Sequence, residues 1–192
     1  MPWGRGGVSL QLIRMGNEGD VRAWLRERGA QAIPHPGGTL YAHLSRVCER
    51  LGALGVDADV RVAGLAHAAY GTDGFDVVLL DAADRAPLRE LVGARAEELI
   101  YLYGGCDRGR TWKRLAQTRE VWSRFTGECA APDEATVRGF IDLSIVNELD
   151  VVEQDPTIGD RFGDYFRAVF HSWEGIASTS VSEEARRVLA TA

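Results

Sequence analysis

The sequence of 192 residues contains a single lysine, Lys113, among 22 basic residues. Acidic residues number 28, so the formal net charge is −6. A phosphate backbone is bound by clustered lysine and arginine side chains, so this balance argues against a nucleic-acid partner. The preference for arginine over lysine is typical of high-GC bacterial codon usage and does not indicate an anion-binding surface.

Cysteine is also scarce, because the chain has only Cys48, Cys106 and Cys129. They are odd in number and far apart, and no pair has C-x-x-C spacing. The pattern predicts neither a disulfide framework nor a zinc knuckle, and it favours a reducing compartment.

Long apolar runs are missing as well. No stretch approaches the roughly 20 residues of a membrane-spanning helix. The first residues lack the apolar core, about 7–15 residues long, of a signal peptide. These features predict a cytoplasmic protein with no membrane partner.

Hydrophobic periodicity predicts an all-α fold. Residues 1–16 are glycine-rich and are expected to form a loose arm, 17–177 one helical domain, and 178–192 a tail or capping helix. Within the domain, helices are predicted over about 17–29, 86–103, 111–126 and 160–174, and a short strand over 75–80. The segment from Ile33 to Gly38 has two prolines and two glycines, so it is predicted to be a rigid connector.

Two helices carry histidines on their apolar faces. One begins near Thr39 and has leucine or valine at 4-3-4-3 spacing up to Gly55, with His43 on the same stripe. The next is predicted to start with Asp57 as N-cap and to reach about Tyr70, with His67 on the face of Gly64.

A third helix is predicted from Pro132-Asp133 to about Gln154. Its segment from Phe140 to Val152 is apolar on nearly every side, which predicts a central position. The polar exceptions in that segment are Asp142, Ser144, Asn147, Glu148 and Asp150.

The segments around His43 and His67, together with their separation of 24 positions, resemble the two histidine elements of the HD-domain superfamily. The likeness is nearest to alarmone (ppGpp) hydrolases and to a family of small HD-like proteins with the motif His-x-x-Tyr-Gly-Thr, here His67 to Thr72. The resemblance spans about 35–155 and implies an HD-like helical bundle with a metal site. It aligns Asn147 with the last metal-binding aspartate.

Several HD signature residues are replaced. Ala68 stands where the aspartate of the His-Asp pair belongs, and Gly71-Thr72 stand where a Glu-Asp pair assists hydrolysis. A methyl group cannot bridge metals or polarise water, so ordinary nucleotide hydrolysis is not expected. The departures indicate a retained fold with changed chemistry.

The remaining residues still suit a metal. His35, His43 and His67 with Asp150 or Asp142 would give a three-histidine or a two-histidine-one-carboxylate site. We expect a divalent metal, with iron favoured over manganese, zinc or copper. The leading hypothesis is a small-molecule oxidation, by analogy with myo-inositol oxygenase, an iron-dependent HD relative. His35 is also a candidate general base, Tyr70 and Asn147 are candidate catalytic residues, and Arg110 is a candidate substrate-binding residue.

Less specific interpretations stay open. Each histidine could be a hydrogen-bonded core residue, Asn147 an interhelical bridge, and the arginine cluster around Arg110 a solvated loop. The alternative functions are a metal-dependent hydrolase, a metal-free acid–base enzyme and a non-catalytic ligand-binding or homodimerisation module.

Overall fold

The computed structural model describes residues 18–190, which form an all-α fold. Within these residues the helices are α1 (Glu18–Glu27), α2 (Leu40–Ala53), α3 (Ala58–Ala66), α4 (Ala86–Val92), α5 (Ala94–Gly105), α6 (Arg108–Thr118), α7 (Glu134–Gln154), α8 (Pro156–Trp173) and α9 (Thr179–Leu189). Four two-residue strands form two antiparallel hairpins: β1 (Pro34–His35) with β2 (Gly38–Thr39), and β3 (Val121–Trp122) with β4 (Cys129–Ala130). The predicted arm 1–16 lies outside the described residues.

Helix α7 is the centre of the bundle, as its all-round apolar pattern predicted. Every residue from Phe140 to Asp150 is buried. The helix packs against α2, α3, α5, α8 and α9. Its start is fixed by the Asp133 side chain, which accepts a hydrogen bond from the backbone N–H of Thr136 at 2.7 Å. A polar side chain between Phe140 and Asp150 is therefore held in the interior, where it needs a partner.

The connector before α2 is a tight hairpin. Pro36 and Gly37 form its turn, and Gly37 has a φ of +75° that favours glycine. The Thr39 side chain then caps α2 by accepting from the backbone N–H of Ala42 at 3.2 Å. The hairpin places His35 beside the first turn of α2, with its ring against that of His43.

Several predicted element boundaries are wrong. Helix α3 ends at Ala66, and residues 67–70 form a turn. The segment predicted as one helix over 86–103 is interrupted at Gly93, whose φ is +88°. The helix predicted over 111–126 ends at Thr118, because Arg119 adopts a left-handed conformation and the β3–β4 hairpin follows.

The strand predicted over 75–80 is not formed. Phe75 makes only an isolated bridge with Thr72, while the backbone N–H groups of Leu79 and Leu80 donate to the carbonyl of Ala69. The segment is therefore an irregular loop that is hydrogen-bonded to the turn following α3.

None of the helices in 18–190 has the length and apolar character required to cross a bilayer.

Close packing of α2 against α3 depends on Gly64. A Cβ atom there would overlap the Leu51 side chain and lie 3.3 Å from Val47 Cγ1. We expect Gly64→Ala to lower the free energy of unfolding by about 1–3 kcal/mol, because the buried Leu51 must leave its packed position. Chemical denaturation measures this change. Gly175→Ala is the matched control, since its Cβ would meet nothing within 4 Å. Equal losses in both variants would contradict the packing argument.

Candidate functional site

A cavity of about 550 Å³ lies between the β1–β2 hairpin, the start of α6, and helices α7 and α8. His35, His43, His67 and Asn147 all line it, although they come from four separate parts of the chain. The structure thus brings together four of the residues singled out in the sequence. The opposite walls are mainly apolar.

His43 and Asp150 form a buried pair at the base of this cavity. The His43 Nδ1–H donates to Asp150 Oδ2 at 2.6 Å. The Arg46 guanidinium donates to both oxygens of the same carboxylate, at 2.7 and 2.9 Å. Burial alone would raise the pKa of Asp150, but these hydrogen bonds outweigh it and hold the pKa below its usual range. Asp150 is therefore an anion that fixes the tautomer and orientation of His43.

His67 is oriented by its own helix. It follows the last residue of α3, and its Nδ1–H donates to the carbonyl of Gly64 at 2.8 Å. Burial, together with the repulsion that a proton on the neighbouring His43 would exert, lowers the pKa of His67 well below its usual value. His67 is thus a neutral imidazole with the lone pair on Nε2.

Three acceptor atoms converge where the two rings meet. His43 Nε2 lies 3.4 Å from His67 Nε2 and 3.0 Å from the Asn147 side-chain oxygen. The Asn147 amide nitrogen donates to Glu148 at 2.8 Å, which turns its oxygen toward His43. Because lone pairs repel one another, this arrangement needs a cation or a donated proton at its centre.

The donor set fits a divalent metal in part. Two imidazole nitrogens bound to one tetrahedral metal at about 2.0–2.1 Å lie roughly 3.3 Å apart, close to the separation of the two Nε2 atoms. A ligating histidine usually donates its other N–H to a carboxylate or a backbone carbonyl, as both histidines do here. Across 18–190, however, no three His, Cys, Asp or Glu side chains are grouped to hold an ion. The third donor available is the Asn147 amide oxygen.

Asp150 does not face this centre. Its carboxylate lies on the Nδ1 side of His43 and accepts from Arg46, so it orients the histidine from the side opposite to Nε2. Asp142, the other carboxylate considered, accepts from the Ser178 backbone N–H and hydroxyl at 2.9 and 2.6 Å and does not line the cavity.

His35 lies against His43 at the mouth of the site. The two rings stack with centroids 4.0 Å apart and an interplanar angle of 24°. Burial, together with the repulsion that a proton on the neighbouring His43 would exert, lowers the pKa of His35 to about 4. His35 is therefore uncharged at neutral pH, which makes it a hydrogen-bond acceptor but a weak base.

A second ion pair shapes the cavity wall. Arg108 donates to Glu148 at 2.8 Å and to the Tyr103 hydroxyl at 2.9 Å, and its backbone N–H donates to Asp73 at 2.9 Å. Glu148 in turn accepts from Asn147. The pair connects the start of α6 to the acceptor cluster on α7.

Tyr70 and Arg110 lie elsewhere. The Tyr70 hydroxyl donates to the buried Glu97 at 2.8 Å, and Tyr70 does not line the cavity. The Arg110 guanidinium stacks 3.3 Å from the ring centre of Trp122 and is also outside the cavity. Arg108, from the same cluster, occupies the wall position.

Several lining residues were not singled out individually as site residues from sequence, although Arg108 and Trp112 belong to the arginine cluster around Arg110. They are Asp73, Phe75, Arg108, Trp112 and Glu148, with the α8 aromatics Phe162, Tyr165 and Phe166. Only Glu148 carried a usable signal, since a carboxylate in an otherwise apolar helix needs a buried partner. Nothing in the local pattern distinguished Arg108 from its neighbouring arginines.

A sequence-family model described as "Domain of unknown function (DUF6817)" matches residues 24–108. This similarity runs from the last part of α1 to the start of α6 and so includes the three clustered histidines, but it ends before Asn147 and Asp150. No curated protein and no solved structure matches the chain.

Proposed function

We propose that the chain is a small-molecule enzyme in which His43 and His67 hold a divalent metal ion at the base of the cavity. The observation that carries the proposal is the meeting of two Nε2 atoms at 3.4 Å, while each Nδ1–H is already donated to Asp150 or Gly64. The same arrangement supports assignment to the HD-domain superfamily as a member with a remodelled site.

The surrounding residues have distinct tasks in this proposal. Asp150 keeps the Nε2 lone pair of His43 directed at the site, and the Asn147 oxygen completes the protein donors. Glu148 and Arg108 present polar groups to the substrate, and the uncharged His35 ring would accept a hydrogen bond from it.

Iron, which we favour, would supply oxidative chemistry at this site, whereas zinc or manganese would supply hydrolytic chemistry and copper would again favour oxidation. The three free cysteines fit an enzyme of a reducing, cytoplasmic compartment.

A second candidate is acid–base catalysis without a metal. The Asp150–His43 pair resembles the carboxylate–imidazole pair of general-base enzymes, and a proton on His43 Nε2 would be donated to Asn147 across 3.0 Å. This proton satisfies the converging lone pairs as a metal would.

Metal analysis by inductively coupled plasma mass spectrometry separates the two candidates. Protein purified without a metal-binding tag is expected to contain about one equivalent of a transition metal. His43→Ala and His67→Ala should lose it while keeping the helical circular dichroism spectrum. His171→Ala is the matched control, because this side chain is 81% exposed on α8 and should not affect the metal content.

Two results would overturn the metal proposal. Equal metal in wild type and in both cavity variants would mean that the ion is bound elsewhere. Absence of metal after anaerobic reconstitution with iron, manganese, zinc and copper would leave the acid–base candidate.

A further inference from the structure

We infer that the residues lining the cavity select a neutral molecule with an aromatic or other apolar ring body and one hydroxyl or amine group, and that these residues disfavour phosphorylated metabolites. This inference rests on the proposed function in taking the cavity as the substrate site. It argues against the nucleotide substrates that the likeness to alarmone hydrolases implies.

The charge of the lining is the first support. Arg108 is the only arginine or lysine among the described residues that line the cavity, whereas Asp73 and Glu148 contribute two carboxylates. The Arg108 guanidinium is engaged by Glu148 and by the Tyr103 hydroxyl. In the metal-free protein, a phosphate entering this space would meet two carboxylates and, among the described residues that line it, no unpaired cationic side chain.

The apolar walls are the second support. The rings of Phe75, Trp112, Phe162, Tyr165 and Phe166 line the cavity. Phe162 is 39% exposed, and within 18–190 it and Val78 are the exposed large hydrophobic residues. A ring that fills the cavity would cover apolar surface here and would gain free energy from it.

The base of the cavity, where His43, His67 and Asn147 meet, determines where the polar group of the ligand lies. His67 Nε2 and the Asn147 oxygen accept hydrogen bonds here whether or not His43 carries a proton on Nε2, so a hydroxyl or amine hydrogen complements them. A phosphate dianion brings only further acceptors to the same place. A molecule with a hydrogen-bond donor at one end of an apolar ring therefore complements both the polar base and the apolar walls of the cavity.

A matched pair of probes tests the inference. 1-Naphthol has the ring and the hydroxyl, and 1-naphthyl phosphate replaces that hydroxyl hydrogen with a phosphate. We expect metal-stripped wild-type protein to bind 1-naphthol at least about tenfold more tightly than the phosphate in calorimetric titrations.

Three variants test which residues cause the difference in affinity between the two probes. Phe162→Ala removes a wall ring at the rim and should weaken 1-naphthol binding several-fold, whereas Val78→Ala, exposed outside the cavity, should not. Glu148→Gln removes the carboxylate that engages Arg108 and should raise the affinity for 1-naphthyl phosphate by about tenfold.

The inference is overturned if the phosphate binds wild-type protein as tightly as 1-naphthol, if 1-naphthol does not bind, or if Phe162→Ala leaves its binding unchanged. The assay needs neither metal nor turnover. A chain that binds 1-naphthol but retains no metal would therefore contradict the proposed metal centre and leave the substrate class standing.

Discussion

Asp150→Asn is expected to lower metal affinity by about 10–100-fold, the usual effect of removing a group that orients a metal-binding histidine. The substitution removes the negative charge shared by His43 and Arg46. An amide can still accept from His43 Nδ1, but its NH₂ group would then face the Arg46 guanidinium. His43 would lose both its tautomer preference and its fixed orientation. Competition with a chelator of known affinity measures the change.

The same variant is expected to lose about 3 kcal/mol of unfolding free energy, because breaking a buried pair leaves His43 and Arg46 without their anion. Glu153→Gln is the matched control on the same helix. Glu153 is exposed and pairs with Arg50 at the surface, so its loss should cost at most about 1 kcal/mol. If Asp150→Asn bound metal as tightly as Glu153→Gln, Asp150 would have no part in orienting the site.

Sequence periodicity was sufficient to identify the helices that carry the site. His43 lies on the apolar stripe of α2, and His67 directly follows the last residue of α3; the two helices pack face to face to bury their apolar stripes. Asn147 and Asp150 are three residues apart, so they share one face of α7. These local rules place all four residues near one another.

Sequence periodicity could not predict which atoms of these side chains contact one another. Periodicity gives the face of a helix, but it does not say which ring nitrogen of His43 meets Asp150. That choice depends on Arg46, which lies one turn after His43 and engages the carboxylate. The prediction of Asp150 as a direct metal ligand did not include this competing cation.

The interpretation of Tyr70 depended on where a helix ends. A helix continuing to Tyr70 would put this residue on the face of His67, three positions earlier. Helix α3 ends at Ala66 instead, and the following turn directs Tyr70 toward α5. Helix ends are set by tertiary hydrogen bonds as well as by local sequence, so the sequence pattern overestimated the length of this helix.

Glu97→Ala is expected to lower the free energy of unfolding by about 3 kcal/mol. Glu97 is fully buried, and its carboxylate accepts from the Tyr70 hydroxyl at 2.8 Å and twice from Arg85 at 2.7 Å. Alanine would leave the hydroxyl without its acceptor and the guanidinium without its anion. The Arg85 side chain is 34% exposed, so water can solvate it in part, which keeps the cost at the lower end of the range for buried pairs.

Two further variants test which group causes this loss of unfolding free energy. Tyr70→Phe removes only the hydroxyl donor and should cost about 1 kcal/mol. Glu98→Ala alters the neighbouring exposed carboxylate of the same helix and should change the stability by less than about 0.5 kcal/mol. Equal losses in Glu97→Ala and Glu98→Ala, measured by urea denaturation, would contradict a buried ion pair at Glu97.

Tyr70 immediately precedes the 71–75 loop, and this loop contributes Asp73 and Phe75 to the cavity wall. Glu97 therefore stabilises one wall of the candidate site from outside it, and Glu97→Ala should weaken 1-naphthol binding as well as the fold, whereas Glu98→Ala should affect neither.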